Sequence, residues 1–161
     1  GRMKTAYYVA TVVSAYRRAL DALARGGEAE YRERLPELTA ELAKASHRAC
    51  NTGFYFGAPQ PPAGAEGFSQ SMEFVGVVSR GAAAGEPAEI TLKNRFYTGD
   101  ALEALTPEGG KPFVAGDITV AETGEKTDTV SVAGTRILLT LPFAVAAGDL
   151  LRGPNRNHRN G

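Results

Sequence analysis

Two hydrophobic periods follow one another along this chain. From Thr5 to Leu23 the apolar residues Tyr8, Val9, Val12, Val13, Tyr16, Leu20 and Leu23 recur in steps of three and four. That spacing places them on one face of a helix, with Arg17, Arg18 and Asp21 largely on the other. Gly26-Gly27 supplies a left-handed helix end. A second helix is predicted over Leu35–Ala45, with Pro36 in its first turn and Leu35, Leu38 and Leu42 as its stripe. The charge-rich run from Glu28 to Lys44 reads as a solvated face. From Met72 the period becomes two. Met72, Phe74, Gly76 and Val78 alternate with Glu73, Val75, Val77 and Ser79, and similar alternation recurs around Ile90, Ile118, Val130 and Leu139. Turn signals such as Gly99-Asp100, Gly109-Gly110, Gly116-Asp117 and Gly148-Asp149 separate these runs. Short strands at that spacing predict an antiparallel barrel or sandwich.

The predicted organisation has four parts: a helical arm over residues 1–46, a linker over 47–71, a β-barrel over 72–152 and a basic tail over 153–161. The linker is broken by Gly53, Gly57, Pro59, Pro61, Pro62, Gly64 and Gly67. It also holds Phe54-Tyr55-Phe56. Burial of one such ring is worth roughly 1.5–3 kcal/mol, so the cluster is expected to anchor the linker on a neighbouring surface. The fold class is therefore α+β, mainly β.

Composition narrows the chemistry. The 161 residues carry a formal net charge of +0, so no global field steers the chain to nucleic acid or membrane. No apolar run approaches the roughly 20 residues that span a bilayer, and no membrane partner is expected. The one cysteine, Cys50, allows no internal disulfide, which fits a reducing, cytoplasmic setting. Ser46, His47 and Cys50 lie close in sequence, but a Cys–His nucleophile needs a positioned third group, and none is evident. One cysteine and two histidines cannot complete a closed zinc set. Gly109-Gly110-Lys111-Pro112 imitates a phosphate loop, yet the proline forbids the helix such a loop opens. No catalytic residue, metal site or cofactor is assigned.

Lys93-Asn94-Arg95-Phe96-Tyr97 interleaves two cations with two aromatics on or beside a strand. Rings that stack bases, together with cations that neutralise phosphate, are the means by which small barrels hold RNA single strands. The same run also suits a strand end with two core rings and two solvated cations. Arg136 and Arg152 extend the basic set, and the tail adds Arg156 and Arg159. The candidate RNA-binding residues are thus Lys93, Arg95, Phe96, Tyr97, Arg136 and Arg152.

The order of several segments resembles the collagenase-like peptidases of the U-thirty-two family. Arg2-Met3-Lys4-Thr5-Ala6-Tyr7-Tyr8-Val9 and Val13-Ser14-Ala15-Tyr16-Arg17 are similar to the end of that family's core. Ser46-His47-Arg48-Ala49-Cys50-Asn51-Thr52-Gly53-Phe54-Tyr55-Phe56-Gly57 is similar to its next block. Glu73-Phe74-Val75-Gly76-Val77-Val78, Lys93-Asn94-Arg95-Phe96, Gly99-Asp100-Ala101-Leu102-Glu103 and the stretch from Leu141-Pro142 to Leu151-Arg152 resemble its C-terminal barrel. The resemblance covers about residues 2–152. It implies a six-stranded antiparallel barrel like the second domain of translation factors, and a catalytic core lying upstream of this chain. It also implies peptidase activity or hydroxylation of tRNA or ribosomal RNA for the parent protein, with tRNA or rRNA as a partner. No catalytic residue of the family carries over. Three roles remain open at this point: a non-catalytic module that positions RNA, a substrate-access domain of a true peptidase, and a structural or oligomerisation module with no ligand; a homodimer through the helical arm is a further candidate partner.

Overall fold

A computed structural model describes residues 4–47, 54–58 and 70–156. Most of the linker, Cys50, and His158 and Arg159 of the tail lie outside the described residues. The described chain forms two compact units, one over residues 1–71 with 155–161, the other over Met72–Pro154. No helix among the described residues is long and apolar enough to cross a membrane.

In the first unit α1 spans Ala6–Leu42. The Thr5 hydroxyl caps it, accepting a hydrogen bond from the Tyr8 N–H at 3.3 Å. At Gly27 the backbone leaves the helical region (φ 64°, ψ −157°), so two helices meet at a sharp corner. They return antiparallel: Tyr7 Oη donates to Lys44 O at 2.9 Å, Lys4 Nζ to Ser46 O at 3.3 Å, and Arg18 pairs with Glu37.

Three expectations are corrected here. The second helix begins directly after Gly27 and not at Leu35, because Glu28–Arg32 and Glu30–Arg34 pairs at i,i+4 support helix through the charged run. Pro36 consequently lies inside α1. The buried face of the first half is Tyr7, Thr11, Ala15 and Ala22, not the predicted large apolar stripe. Thr11, Ala15 and Ala22 are small enough to allow close approach of packed helices, whereas Val9, Val13, Tyr16, Leu20 and Leu23 face outward. Phe54, Tyr55 and Phe56 are likewise 82–91% exposed, not anchored on a neighbouring surface. They sit in a turn closed at Gly57, whose N–H donates to Phe54 O at 3.5 Å.

The corner at Gly27 is open, since a Cβ there would meet nothing within 4 Å. Its cost to any other residue is purely torsional, about 1–3 kcal/mol in this glycine-only region. Gly27→Ala is accordingly expected to lower stability by about that amount, read as earlier loss of helical circular dichroism on heating.

The second unit is antiparallel throughout. It comprises β1 (Met72–Arg80), β2 (Pro87–Leu92), β3 (Phe96–Tyr97), β4 (Ala101–Thr106), β5 (Gly109–Val114), β6 (Ile118–Val120), β7 (Lys126–Thr127), β8 (Thr129–Val130), β9 (Arg136–Thr140) and β10 (Leu150–Pro154). Eight strands form one sheet in the order β5-β4-β10-β1-β2-β9-β6-β7, and β3 pairs with β8 in a two-stranded ribbon. The sheet has eight strands, where the resemblance implied six, and β5 and β7 stand at its two ends, so its ladder does not close. Phe113 from β5 nevertheless shares one hydrophobic cluster with Ile118, Ile137 and Leu139 from the opposite end, and with Phe96 and Val130 from the ribbon. Only a strongly curled sheet brings its two ends to one core.

The alternation predicted for β1 holds only in part. Phe74 faces Arg152 and Gly76 faces Leu151, so the register shifts across Val75. A bulge adds one residue and moves side chains to the other face. Val75 and Val78 are therefore both buried, whereas Met72 and Phe74 are only half-buried.

Candidate nucleic-acid interface

The β1 bulge positions the loop that carries the two central candidate cations. Val75 O accepts from Lys93 N–H at 2.7 Å and from Asn94 N–H at 3.1 Å. Asn94 Nδ2 donates to Phe74 O at 2.8 Å. On the other flank Leu92 N–H donates to Thr135 O at 2.9 Å, and Gly134 N–H donates to Leu92 O at 2.8 Å. Backbone bonds thus hold residues 92–94 from both sides. The Lys93 and Arg95 side chains project from this anchored backbone into solvent.

Their electrostatic situation is distinctive. The unit contains seven cations: Arg80, Lys93, Arg95, Lys111, Lys126, Arg136 and Arg152. Five have a carboxylate partner. Arg80 reaches Glu89, Lys111 reaches Glu108, Lys126 reaches Asp117, Arg136 reaches Glu89 and Glu122, and Arg152 reaches Glu103. Lys93 and Arg95 have none among the described residues. Their charge is not offset locally and is available to an anion.

The other four candidates have different surroundings. Arg136 faces Thr91 across the β2–β9 ladder. Glu89 and Thr91 are the half-buried, outward positions of β2, between buried Ala88, Ile90 and Leu92, and Lys93 continues that outward series. Arg136 therefore neighbours Lys93 on the outer face, at 3.8 Å from Glu89 Oε1 and 3.6 Å from Glu122 Oε1. Tyr97 is half-buried, and its N–H donates to Asp100 Oδ2 at 2.8 Å. The Phe96 ring is 1% exposed and belongs to the hydrophobic cluster, so it cannot stack on a base.

Arg152 is 0% exposed. Its Nε and Nη2 donate to Glu103 Oε2 at 2.9 and 2.6 Å, across the β10–β4 ladder where the two residues face each other. Space for the pair depends on Gly110 of β5, where a Cβ would lie 2.6 Å from Arg152 Nη2 and 2.7 Å from Glu103 Oε2. Arg152 is thus an internal tie between strands. The one sequence signal for its burial is its place between Leu150-Leu151 and Gly153 at the end of an apolar strand.

Elsewhere the chemistry is modest. A surface pocket of about 150 Å³ is lined by Asp117, Ile118, Lys126, Thr127 and Asp128. Two of its charges, Asp117 and Lys126, pair with each other at 2.9 Å. The hydrogen bond from Lys126 to Asp117, and then their Coulombic attraction, hold the Asp117 carboxyl below its usual range and push the Lys126 ammonium up. Among the described residues no group of three or more His, Cys, Asp or Glu side chains is placed to hold a metal ion.

Comparison with known proteins places this geometry in a lineage. The model of the peptidase family U32 C-terminal domain matches residues 70–152, and the model of peptidase family U32 itself matches residues 1–64. The chain belongs to peptidase family U32. Among curated relatives of this U32 chain, tRNA hydroxylation protein P1 of Bacillus subtilis is 33% identical over 111 residues, covering 67% of this chain and 26% of that protein. The tRNA hydroxylation protein P of Escherichia coli is 32% identical over 117 residues, covering 70% of this chain and 24% of that protein. The chain spans about a quarter of the length of these curated relatives. A solved C-terminal domain of a Geobacillus thermoleovorans U32 peptidase superposes with a TM-score of 0.48 at 21% identity, over 52% of this chain and 93% of that one.

Proposed function

We propose that this chain is a non-catalytic accessory part of a cytoplasmic U32-family RNA-hydroxylation protein, and that its β unit helps position tRNA. The observation that carries the reading is the unpartnered pair Lys93 and Arg95 on a loop fixed by the β1 bulge. Phosphate binding needs cations that need not first break a local ion pair, and these two meet that condition. Arg136, opposite Thr91 in the β2–β9 ladder, joins by exchanging Glu89 and Glu122 for phosphate. Tyr97 is the remaining surface-adjacent ring. Phe96 and Arg152 contribute through folding alone. The names of the B. subtilis and E. coli relatives support tRNA as the substrate class. In this reading the long strands β1, β2, β4, β5, β9 and β10 act as a six-stranded framework of the translation-factor type, and the short strands shape its RNA-facing loops.

Net charge of +0 sets the strength. Binding is expected with a Kd on the order of 10⁻⁶–10⁻⁴ M at physiological salt. Titration of fluorescent tRNA by anisotropy at a series of salt concentrations tests the reading. Lys93→Ala with Arg95→Ala should reduce the salt slope by roughly one to two units. No binding at low salt, or a slope unchanged by the double substitution, would give precedence to a structural role.

A further inference from the structure

The exposed large hydrophobic residues are distributed very unevenly. In the region matched by the U32 family model (residues 1–64) they include five on the first half of α1: Val9, Val13, Tyr16, Leu20 and Leu23, at 46–63% exposure. The same region also holds Leu35 and the aromatic turn at 54–56. In the region matched by the C-terminal domain model (residues 70–152) the exposed large hydrophobics are Val114 and Val132. The β unit therefore covers its own core, whereas the helical hairpin leaves a continuous apolar face uncovered.

The five helical residues follow steps of four, three, four and three, so they form one straight seam along the helix. Its flanks are Ala10, Val12, Ala19 and Ala24, with one exposed ion pair, Arg17–Asp21, at an edge. A seam between two copies of a short helix needs charges beside it to set register, and three to four heptads to persist. This one spans two heptads, and its flanking positions hold Ala10, Val12, Ala19, Ala24 and Gly26 with Arg17 as their single charge. It is built to lie against a larger apolar surface. About three quarters of the length of the curated relatives falls outside the segment this chain matches, which is where such a surface would reside.

We infer that the Val9–Leu23 seam docks onto an apolar helical face in the remainder of the U32 polypeptide, and that docking holds the β unit at the body of the protein. The probe is the B. subtilis tRNA hydroxylation protein P1 shortened to exclude the segment this chain matches. Sedimentation velocity with the 161-residue chain should show a one-to-one complex. Val13→Arg with Leu20→Arg should weaken it at least tenfold, while Val132→Arg should leave it unchanged. A second measurement serves if the shortened protein fails to fold. A chimera in which this chain replaces the matched segment should lose thermal stability on Val13→Arg with Leu20→Arg, by about 4 °C or more relative to the same change in the chain alone. A complex insensitive to the seam, or equal thermal effects in chimera and isolated chain, would overturn the inference. So would a dimer of the isolated chain abolished by the same substitutions, since the face would then belong to a second copy.

Discussion

Glu103→Ala is expected to destabilise the β unit by about 3–5 kcal/mol, because it removes a carboxylate that accepts two short hydrogen bonds from the wholly buried Arg152 guanidinium. The pair is short and cross-strand, with Arg152 wholly buried. In water the guanidinium is well solvated, and inside the sheet the Glu103 carboxylate supplies two of the hydrogen bonds that replace that solvation. Removing it leaves part of the desolvation cost uncompensated. For a unit of this size each kcal/mol shifts the melting temperature by about 4–8 °C, so a loss above 12 °C is expected. Replacing both partners together, as Glu103→Leu with Arg152→Met, should recover part of that stability, since packed apolar side chains need no counter-charge. Urea denaturation of the two variants measures both effects. A loss below about 1 kcal/mol for Glu103→Ala would mean that water reaches Arg152, as in an exposed ion pair.

Phe96→Ala should cost about 3–5 kcal/mol, the range for emptying a buried aromatic site. Phe96 joins the two-stranded ribbon to the main core. It faces Val130 in the β3–β8 ladder, and both side chains enter the cluster that holds Ile90, Leu92 and Ile118. Loss of the ring leaves a cavity at that junction and loosens the ribbon first. The expected signature separates folding from binding. Phe96→Ala should lower the urea midpoint strongly yet retain tRNA affinity where the protein is folded, whereas Lys93→Ala with Arg95→Ala should do the reverse. An affinity loss in Phe96→Ala that exceeds its unfolded fraction would place the ring in contact with RNA.

Local patterning reached far into this fold. The three-and-four period before residue 24 became helix, and the two-residue period from Met72 became antiparallel strands. The reason is that both periods follow from backbone geometry, which acts over a few residues. The ordered segments also identified the family, and the Lys93–Tyr97 run contains the two cations of the β unit that have no carboxylate partner among the described residues.

Tertiary structure decided the rest. Helical spacing defines a face but does not say which face finds a partner, so Tyr7, Thr11, Ala15 and Ala22 of α1 were covered while Val9, Val13, Tyr16, Leu20 and Leu23 were left exposed. Strand alternation cannot reveal a bulge, because the extra residue at Val75 shows itself only in the pairing of β1 with β10. Charges along a sequence likewise do not disclose their partners. Glu103 lies 49 residues before Arg152 and meets it only through the register of β4 with β10. That register withdrew Arg152 from the candidate surface, the core claimed Phe96, and Glu89 and Glu122 engaged Arg136. Lys93 and Arg95 kept their charge because the loop that holds them is secured by backbone hydrogen bonds, which consume no side-chain charge.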